Sequence, residues 1–144
     1  MEGNLREIKF RALKSGCWYY LILKHPAGIA KALLKQWESG EEVVFETPWS
    51  QYTGLKDKNG TEIYEGDILE LQARDFNTTN RWIGVVEFGN PNGEYNWGWQ
   101  IRPLQEVQLN TDILLWVETE MPNVSCEVIG NVYQNKELME GKNG

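Results

Sequence analysis

The stretch Gln51-Tyr52-Thr53-Gly54-Leu55-Lys56-Asp57-Lys58-Asn59-Gly60, running on through Ile63-Tyr64-Glu65-Gly66-Asp67-Ile68, decides the fold. Asp57-Lys58-Asn59-Gly60 reads as a tight turn in which Asn59 and Gly60 take positive φ. Ile63-Tyr64 is a short return strand, and Glu65-Gly66-Asp67 is a second turn. Residues 68–73 then alternate apolar and polar, the period of a half-buried strand. Two turns separated by so short a strand leave no room for a helix. This part of the chain is therefore compact β structure.

Downstream the pattern continues. Residues 81–88 are apolar on both faces, with Trp82, Val86 and Phe88 against Ile83 and Val85, which suits a central strand. Gly89-Asn90-Pro91-Asn92-Gly93 reads as a hairpin loop. Residues 94–102 place Tyr95, Trp97, Trp99 and Ile101 on one face, with Gly98 predicting a close backbone approach on the other. Residues 111–119 fit either helix or strand. Residues 127–133 form a late strand, and Asn135 caps a last short helix over 136–140, stopped by Gly141. Many short strands with glycine turns in one small domain point to a small barrel.

Upstream, residues 5–13 alternate, with Ile8, Phe10 and Ala12 on one side and Glu7, Lys9 and Arg11 on the other. That is a half-buried strand with a charged outer face. Ser15-Gly16 is a turn signal, and residues 17–23 form a second strand pairing with the first. His25-Pro26 opens a helix, with Ile29, Leu33 and Trp37 on one stripe, Pro26 in the first turn and Gly40 as its stop. Residues 42–46 read as a short strand ended by Pro48. The expected fold is α+β and mainly β, one domain over 1–144. Residues 1–50 supply a hairpin and one helix, 51–134 the barrel, and 135–144 a short helix and tail.

Composition agrees with a soluble globular domain. The 144 residues are 41% hydrophobic and 24% charged, and seven Trp, six Tyr and four Phe supply ample apolar area. Cys17 and Cys126 form no CxxC and no disulfide framework. No signal peptide or bilayer-length apolar run is visible, which leads us to expect a cytoplasmic protein with no membrane partner. The net charge of −7 is uneven. Residues 1–35 carry seven basic side chains (Arg6, Lys9, Arg11, Lys14, Lys24, Lys31, Lys35) against Glu2 and Glu7, a net of +5. The remaining residues carry −12. This split favours head-to-body contacts between copies, hence a homo-oligomer.

Three blocks resemble the YopX family of phage and prophage proteins. Arg6-Glu7-Ile8-Lys9-Phe10-Arg11-Ala12 resembles the family's opening strand, although Leu13-Lys14 follows where the family usually has Trp-Asp. The stretch from Gln51 to Ile68 is similar to its central signature. Val128-Ile129-Gly130-Asn131-Val132-Tyr133, with Asn135 and Glu137-Leu138, is similar to its closing motif. The resemblance implies an α+β protein whose central and C-terminal part is an SH3-like barrel. It also implies a phage or prophage origin and a bacterial cytoplasm. It brings no catalytic residues, for the family has no assigned activity. Gly54, Asp57, Asn59, Gly60, Gly66 and Asp67 are then a structural turn signature. Gly66 permits a sharp bend, Asp67 accepts backbone N–H groups, and Gly54 crosses a corner where a Cβ would clash.

Catalytic patterns are not evident. No phosphate loop, dinucleotide fingerprint, nucleophile elbow or zinc spacing occurs, so we expect no enzyme activity, no cofactor and no metal. A Cys17–His25 pair lacks an orienting third group. Glu62, Glu65, Asp67 and Glu70 would hold Mg²⁺ only if their oxygens converged, which alternating strands do not favour. The Tyr95, Trp97 and Trp99 row fits either a stacking platform for single-stranded nucleic acid or a barrel core. Arg6, Lys9 and Arg11 make a positive stripe. The first reading is a non-catalytic binding module with an unidentified protein partner. The alternative is a nucleic-acid-binding accessory protein using Arg6, Lys9, Arg11, Tyr95, Trp97 and Trp99. A metal-dependent hydrolase is the third.

Overall fold

In the computed structural model the described residues are 8–23, 45–89, 98–107, 110–117 and 123–140. The helix expected from His25-Pro26 to Gly40, the loop at 90–93, and Arg6, Tyr95, Trp97 and Gly141 lie outside them. The described residues are mainly β, in two antiparallel sheets with two short helices. The chain divides into two units, Met1–Gly54 and Leu55–Gly144.

In the first unit, β1 (Ile8–Lys14) and β2 (Cys17–Leu23) form the expected hairpin. Ser15 and Gly16 both take positive φ (53° and 76°), the geometry of a two-residue turn whose twist matches its strands. That turn fixes the register from Lys14↔Cys17 to Ile8↔Leu23. The next strand, β3 (Ser50–Lys56), pairs with the other edge of β1 through Arg11↔Ser50 and Phe10↔Gln51. Beyond that pairing, residues 46–47 satisfy the end of β1. Glu46 N–H donates to the Leu13 carbonyl (2.7 Å), and Leu13 N–H donates to Thr47 Oγ1 (3.0 Å). Phe45 and Glu46 are not in a strand, and residues 42–44 of the strand expected over 42–46 lie outside the described residues.

Strand β3 runs across the division between the units, within a sheet ordered β2-β1-β3-β4. In the second unit its end turns back into β4 (Glu62–Tyr64), closed by Asp57 N–H to the Thr61 carbonyl (2.9 Å). Gly60 takes φ +82°, but Asn59 does not take a positive φ.

The second sheet is ordered β7-β6-β5-β8, comprising β5 (Asp67–Asp75), β6 (Thr78–Gly89), β7 (Gly98–Pro103) and β8 (Val124–Asn131). β6 is central, as its two apolar faces require. Strands β5 and β6 run longer than the sequence pattern indicates and meet at Phe76-Asn77, with Asp75↔Thr78 as the last pair. The polar run Arg74 to Arg81 hides these turns of strand, because a hairpin end projecting into water needs no apolar face. Between Ile68 and Leu69 the register with β8 shifts, leaving Ile129 of β8 unpaired as a bulge.

The ambiguous segment 111–119 contains helix α1 (Ile113–Val117), which buries Ile113 and Trp116. These join Ile63, Leu69, Leu71, Val86, Ile101 and Cys126 in one core, with Trp82 edge-on to Trp116 at 6.0 Å. Helix α2 (Lys136–Met139) has Asn135 at its start, but Asn135 makes no side-chain cap bond. Its Oδ1 accepts the Asn131 N–H instead (3.1 Å), tying the helix to the end of β8. Gly54 and Gly98 take φ +87° and +122°, with no described residue within 4 Å of where a Cβ would sit. The positive φ by itself favours glycine at both.

Candidate functional site

Most polar side chains of the turn signature are spent on backbone. Asp57, 7% exposed, accepts three N–H groups: Asn59 and Thr61 on Oδ1 (both 2.9 Å) and Val128 on Oδ2 (2.8 Å). One carboxylate thus shapes the first turn and pins it to β8. Asn59 and Lys58 both reach Glu127, at 3.2 and 3.7 Å. Asp67, 1% exposed, accepts the Tyr64 N–H at 2.8 Å. Gly66 takes φ +88°, and a Cβ there would lie 3.3 Å from the Tyr133 ring. Its N–H donates to the Val86 carbonyl, and its own carbonyl accepts from Val132.

The acidic set does not gather. Glu62 takes the Tyr64 hydroxyl and Glu70 takes the Gln72 amide, while Asp67 is committed to its turn. Among the described residues, no three of His, Cys, Asp and Glu converge as a cation site. Cys17 is exposed, and its suggested partner His25 lies outside the described residues. Cys126 is buried. Burial and the nearby Asp57 charge, partly offset by Lys58, push its thiol up to about 12. At neutral pH it is a packed apolar group with no thiolate character.

Of the six residues expected to bind a partner, Arg6, Tyr95 and Trp97 lie outside the described residues, Lys9 and Arg11 belong to the first unit, and of the aromatic row only Trp99 is described. It packs half-buried against the core of the second unit, edge-on to Phe88 at 5.0 Å. Ile101, on the same face, is fully buried. Lys9 and Arg11 lie on β1 of the first unit.

There the register builds a different grouping. Residues opposite one another in an antiparallel pair share a face, and alternate residues along a strand return to it. Lys9↔Ile22, Arg11↔Tyr20 and Leu13↔Trp18 therefore put Lys9, Arg11, Trp18, Tyr20 and Ile22 on one face of the sheet. Ser50 opposes Arg11 from the other side, so Tyr52 is also on that face. The Arg11 guanidinium stands 4.1 Å over the Trp18 ring, and Lys9 Nζ stands 5.3 Å over the Tyr52 ring. Each such contact contributes about 0.5–1 kcal/mol at an exposed site and holds the cation in place. Tyr20 is 52% and Ile22 47% exposed. The charged outer face expected of β1 is thus a cation row walled by aromatics.

Trp18, Tyr20 and Tyr52 are site residues that the charge stripe alone does not reveal. The signal lies in the turn. Once Ser15-Gly16 is read as a two-residue hairpin loop, counting back from it pairs Arg11 with Tyr20. The described cations of this unit are Lys9, Arg11 and Lys14, against the single acid Glu46, whose Oε1 accepts the Ser15 N–H at 2.7 Å.

Comparison with known proteins agrees with the turn signature. No curated protein matches the chain. Among solved structures it is similar to protein EF1440 from Enterococcus faecalis. The two are 24% identical with a TM-score of 0.38, over 90% of this chain and 74% of that one. No helix among the described residues is long and apolar enough to cross a membrane. The family model described as YopX protein matches residues 22–140. That range takes in both the Gln51–Ile68 signature and the Val128–Tyr133 motif, and it begins after the opening block at Arg6–Ala12. With most of its length matched, the chain belongs to the YopX family.

Proposed function

We propose that the chain is a non-catalytic interaction module, encoded by a phage or prophage and acting in the cytoplasm of a bacterial host. In this reading the second unit is an SH3-like barrel that serves as scaffold, supported by its tight glycine turns and the bulge in β8. The first unit presents the binding face. The observation that carries the proposal is the cation row of Lys9 and Arg11 held against Trp18 and Tyr52, beside the half-exposed Tyr20. Ordered cations next to exposed apolar rings are what a recognition surface needs, because little side-chain freedom is left to lose on binding. The non-catalytic part of the reading is supported by Asp67, whose carboxylate is given to a turn N–H.

A photo-crosslinking side chain in place of Tyr20 tests this in cells carrying the phage or prophage. The control places the same group at Phe76, which is 98% exposed in the second unit. The expected result is an adduct from the Tyr20 position that disappears when Lys9 and Arg11 are both changed to Glu. Equal labelling from both positions, or none from Tyr20, overturns the reading.

Association between copies is part of the same proposal. It is supported by the charge split and by β2, the uncharged outer strand of its sheet. Light scattering is expected to give more than one copy per particle at low salt. A monomer at low and moderate salt alike removes it.

A further inference from the structure

We propose that Asn59 is a site of spontaneous, irreversible deamidation that the fold holds in check, so that a turn which lifts from β8 and reacts is kept from closing again. The site belongs to the second unit and is independent of the proposed binding face.

The chemistry starts from a dipeptide, Asn59 followed by Gly60. The backbone nitrogen of Gly60, once deprotonated, attacks Cγ of the Asn59 side chain. The new N–Cγ bond closes a five-membered succinimide ring, and the side-chain nitrogen leaves as ammonia. Water then adds to either ring carbonyl and breaks one ring C–N bond. One product is aspartate in the normal chain. The other is isoaspartate, whose backbone runs through the side-chain carbons and is one atom longer. Water is the only co-reactant, and nothing is oxidised or reduced. Asparagine is heat-labile, and glycine, with no Cβ, leaves the attacking nitrogen unshielded.

The fold restrains both reacting groups. The N–H groups of three successive residues all donate to Asp57. Asn59 and Thr61 bond its Oδ1, both at 2.9 Å, and Gly60, the nucleophile, bonds its backbone carbonyl at 3.0 Å. Ring closure has to turn the Asn59–Gly60 peptide out of this bracket and remove the proton that Gly60 donates. The bracket is itself anchored, because Asp57 is nearly buried and its second oxygen takes the Val128 N–H at 2.8 Å. The electrophile is drawn aside as well. Asn59 Nδ2 donates to Glu127 Oε1 on β8 at 3.2 Å. The partner fixes that orientation of the amide, since an ionised carboxylate only accepts. Asn59 is exposed, so water for the second step is at hand once the turn opens locally.

Neither product fits the same place. Aspartate at this position sets a second carboxylate against Glu127, where the amide donated, with Lys58 at 3.7 Å from Glu127 shared between the two. Isoaspartate inserts a backbone atom between the two N–H groups that share Asp57 Oδ1. Either change loosens the tie between the turn and β8, and neither reverts.

Mass spectrometry of the full chain incubated at mildly alkaline pH tests this. Peptide mapping places the exchange of side-chain NH₂ for OH, and isoaspartyl methylation detects the longer backbone. Asn59 is expected to react in urea, where the dipeptide acts alone. In native buffer it is expected to react at least about tenfold more slowly, the factor that one hydrogen bond to a charged group supplies. Glu127→Ala frees Nδ2 and is expected to raise the native rate about twofold, whereas Glu127→Gln keeps an acceptor and leaves it unchanged. Asn59→Asp stands in for the product and is expected to lower the urea midpoint. Adding Glu127→Gln, whose amide donates to the new carboxylate, is expected to restore part of that loss, a rescue that general misfolding does not produce.

Equal rates in native buffer and in urea overturn the inference, since the fold would then hold nothing in check. So does an Asn59 that stays intact in urea, or a native rate that ignores Glu127→Ala. An Asn59→Asp chain as stable as the parent overturns it too, because the modified turn would then close as before.

Discussion

The two units use polar side chains in opposite ways. In the second, Asp57, Asp67 and Asn131 turn inward and give their oxygens to backbone N–H groups. In the first, Lys9 and Arg11 lie on a sheet face with their cationic groups over the Tyr52 and Trp18 rings. One arrangement commits polar groups to backbone. The other sets charge against aromatic rings. The residues of the Gln51–Ile68 signature therefore belong to the architecture, and the surface proposed to meet a partner lies in the first unit.

The largest effect separating the units is expected at Asp57. Asp57→Ala leaves three N–H groups without their acceptor at a nearly buried position. Hydrogen bonds to charged groups contribute about 1.5–3 kcal/mol each, and they are not additive within one cluster. A loss of about 4 kcal/mol is expected in urea unfolding followed by tryptophan fluorescence. A loss below about 1 kcal/mol would mean that the signature is not what holds the turn to β8.

An intermediate contrast concerns the two thiols. Cys17 is exposed in the first unit and Cys126 buried in the second. In the native protein a thiol reagent is expected to modify one cysteine, with the second reacting only on unfolding. The pH dependence follows from the raised value. The unfolded thiol ionises around 9.0, whereas the native thiol stays protonated up to about 12. The stabilisation is full below pH 9.0 and is lost as pH rises toward about 12, because only the unfolded state gains by releasing the proton. Cys126→Ala is expected to remove this component, read as the difference between the two proteins' stability profiles. Parallel profiles would contradict the burial argument.

The smallest stability effect is expected at Arg11. Arg11→Ala removes one cation–ring contact at a partly exposed site, worth about 0.5–1 kcal/mol. The same substitution is expected to weaken ligand binding markedly. A stability loss as large as that of Asp57→Ala would erase the distinction between the units and make Arg11 a structural residue.

Much of this was legible from side-chain pattern alone. The β1–β2 hairpin, the Asp57 and Gly66 turns and the central position of β6 follow from alternation and glycine placement. The segment around Ile113 stayed open between helix and strand. Its apolar run satisfies either period, and only packing against the sheet selects the helix. The extension of β5 and β6 to Phe76-Asn77 has no alternating apolar signal, its one apolar residue being the exposed Phe76. For the site, Lys9 and Arg11 are legible as a charged stripe, and Tyr95 and Trp97 of the aromatic row lie outside the described residues. Trp18, Tyr20 and Tyr52 join the cations across strands. Cross-strand neighbours are set by pairing, which a linear periodicity does not express.

Ser15 and Gly16 thus control more than a change of direction. The two faces of a sheet are assigned by parity, and the length of this turn sets the parity of every residue in β2 relative to β1. One added or deleted residue, absorbed as a shift of β2 by one place, would carry Trp18, Tyr20 and Ile22 to the opposite side and bring Cys17, Tyr19 and Leu21 beside the cations. The surface would change in a single step without any of its side chains being replaced. A two-residue loop therefore acts as a sign bit for recognition, which makes an insertion there a more informative perturbation than any one substitution on the face.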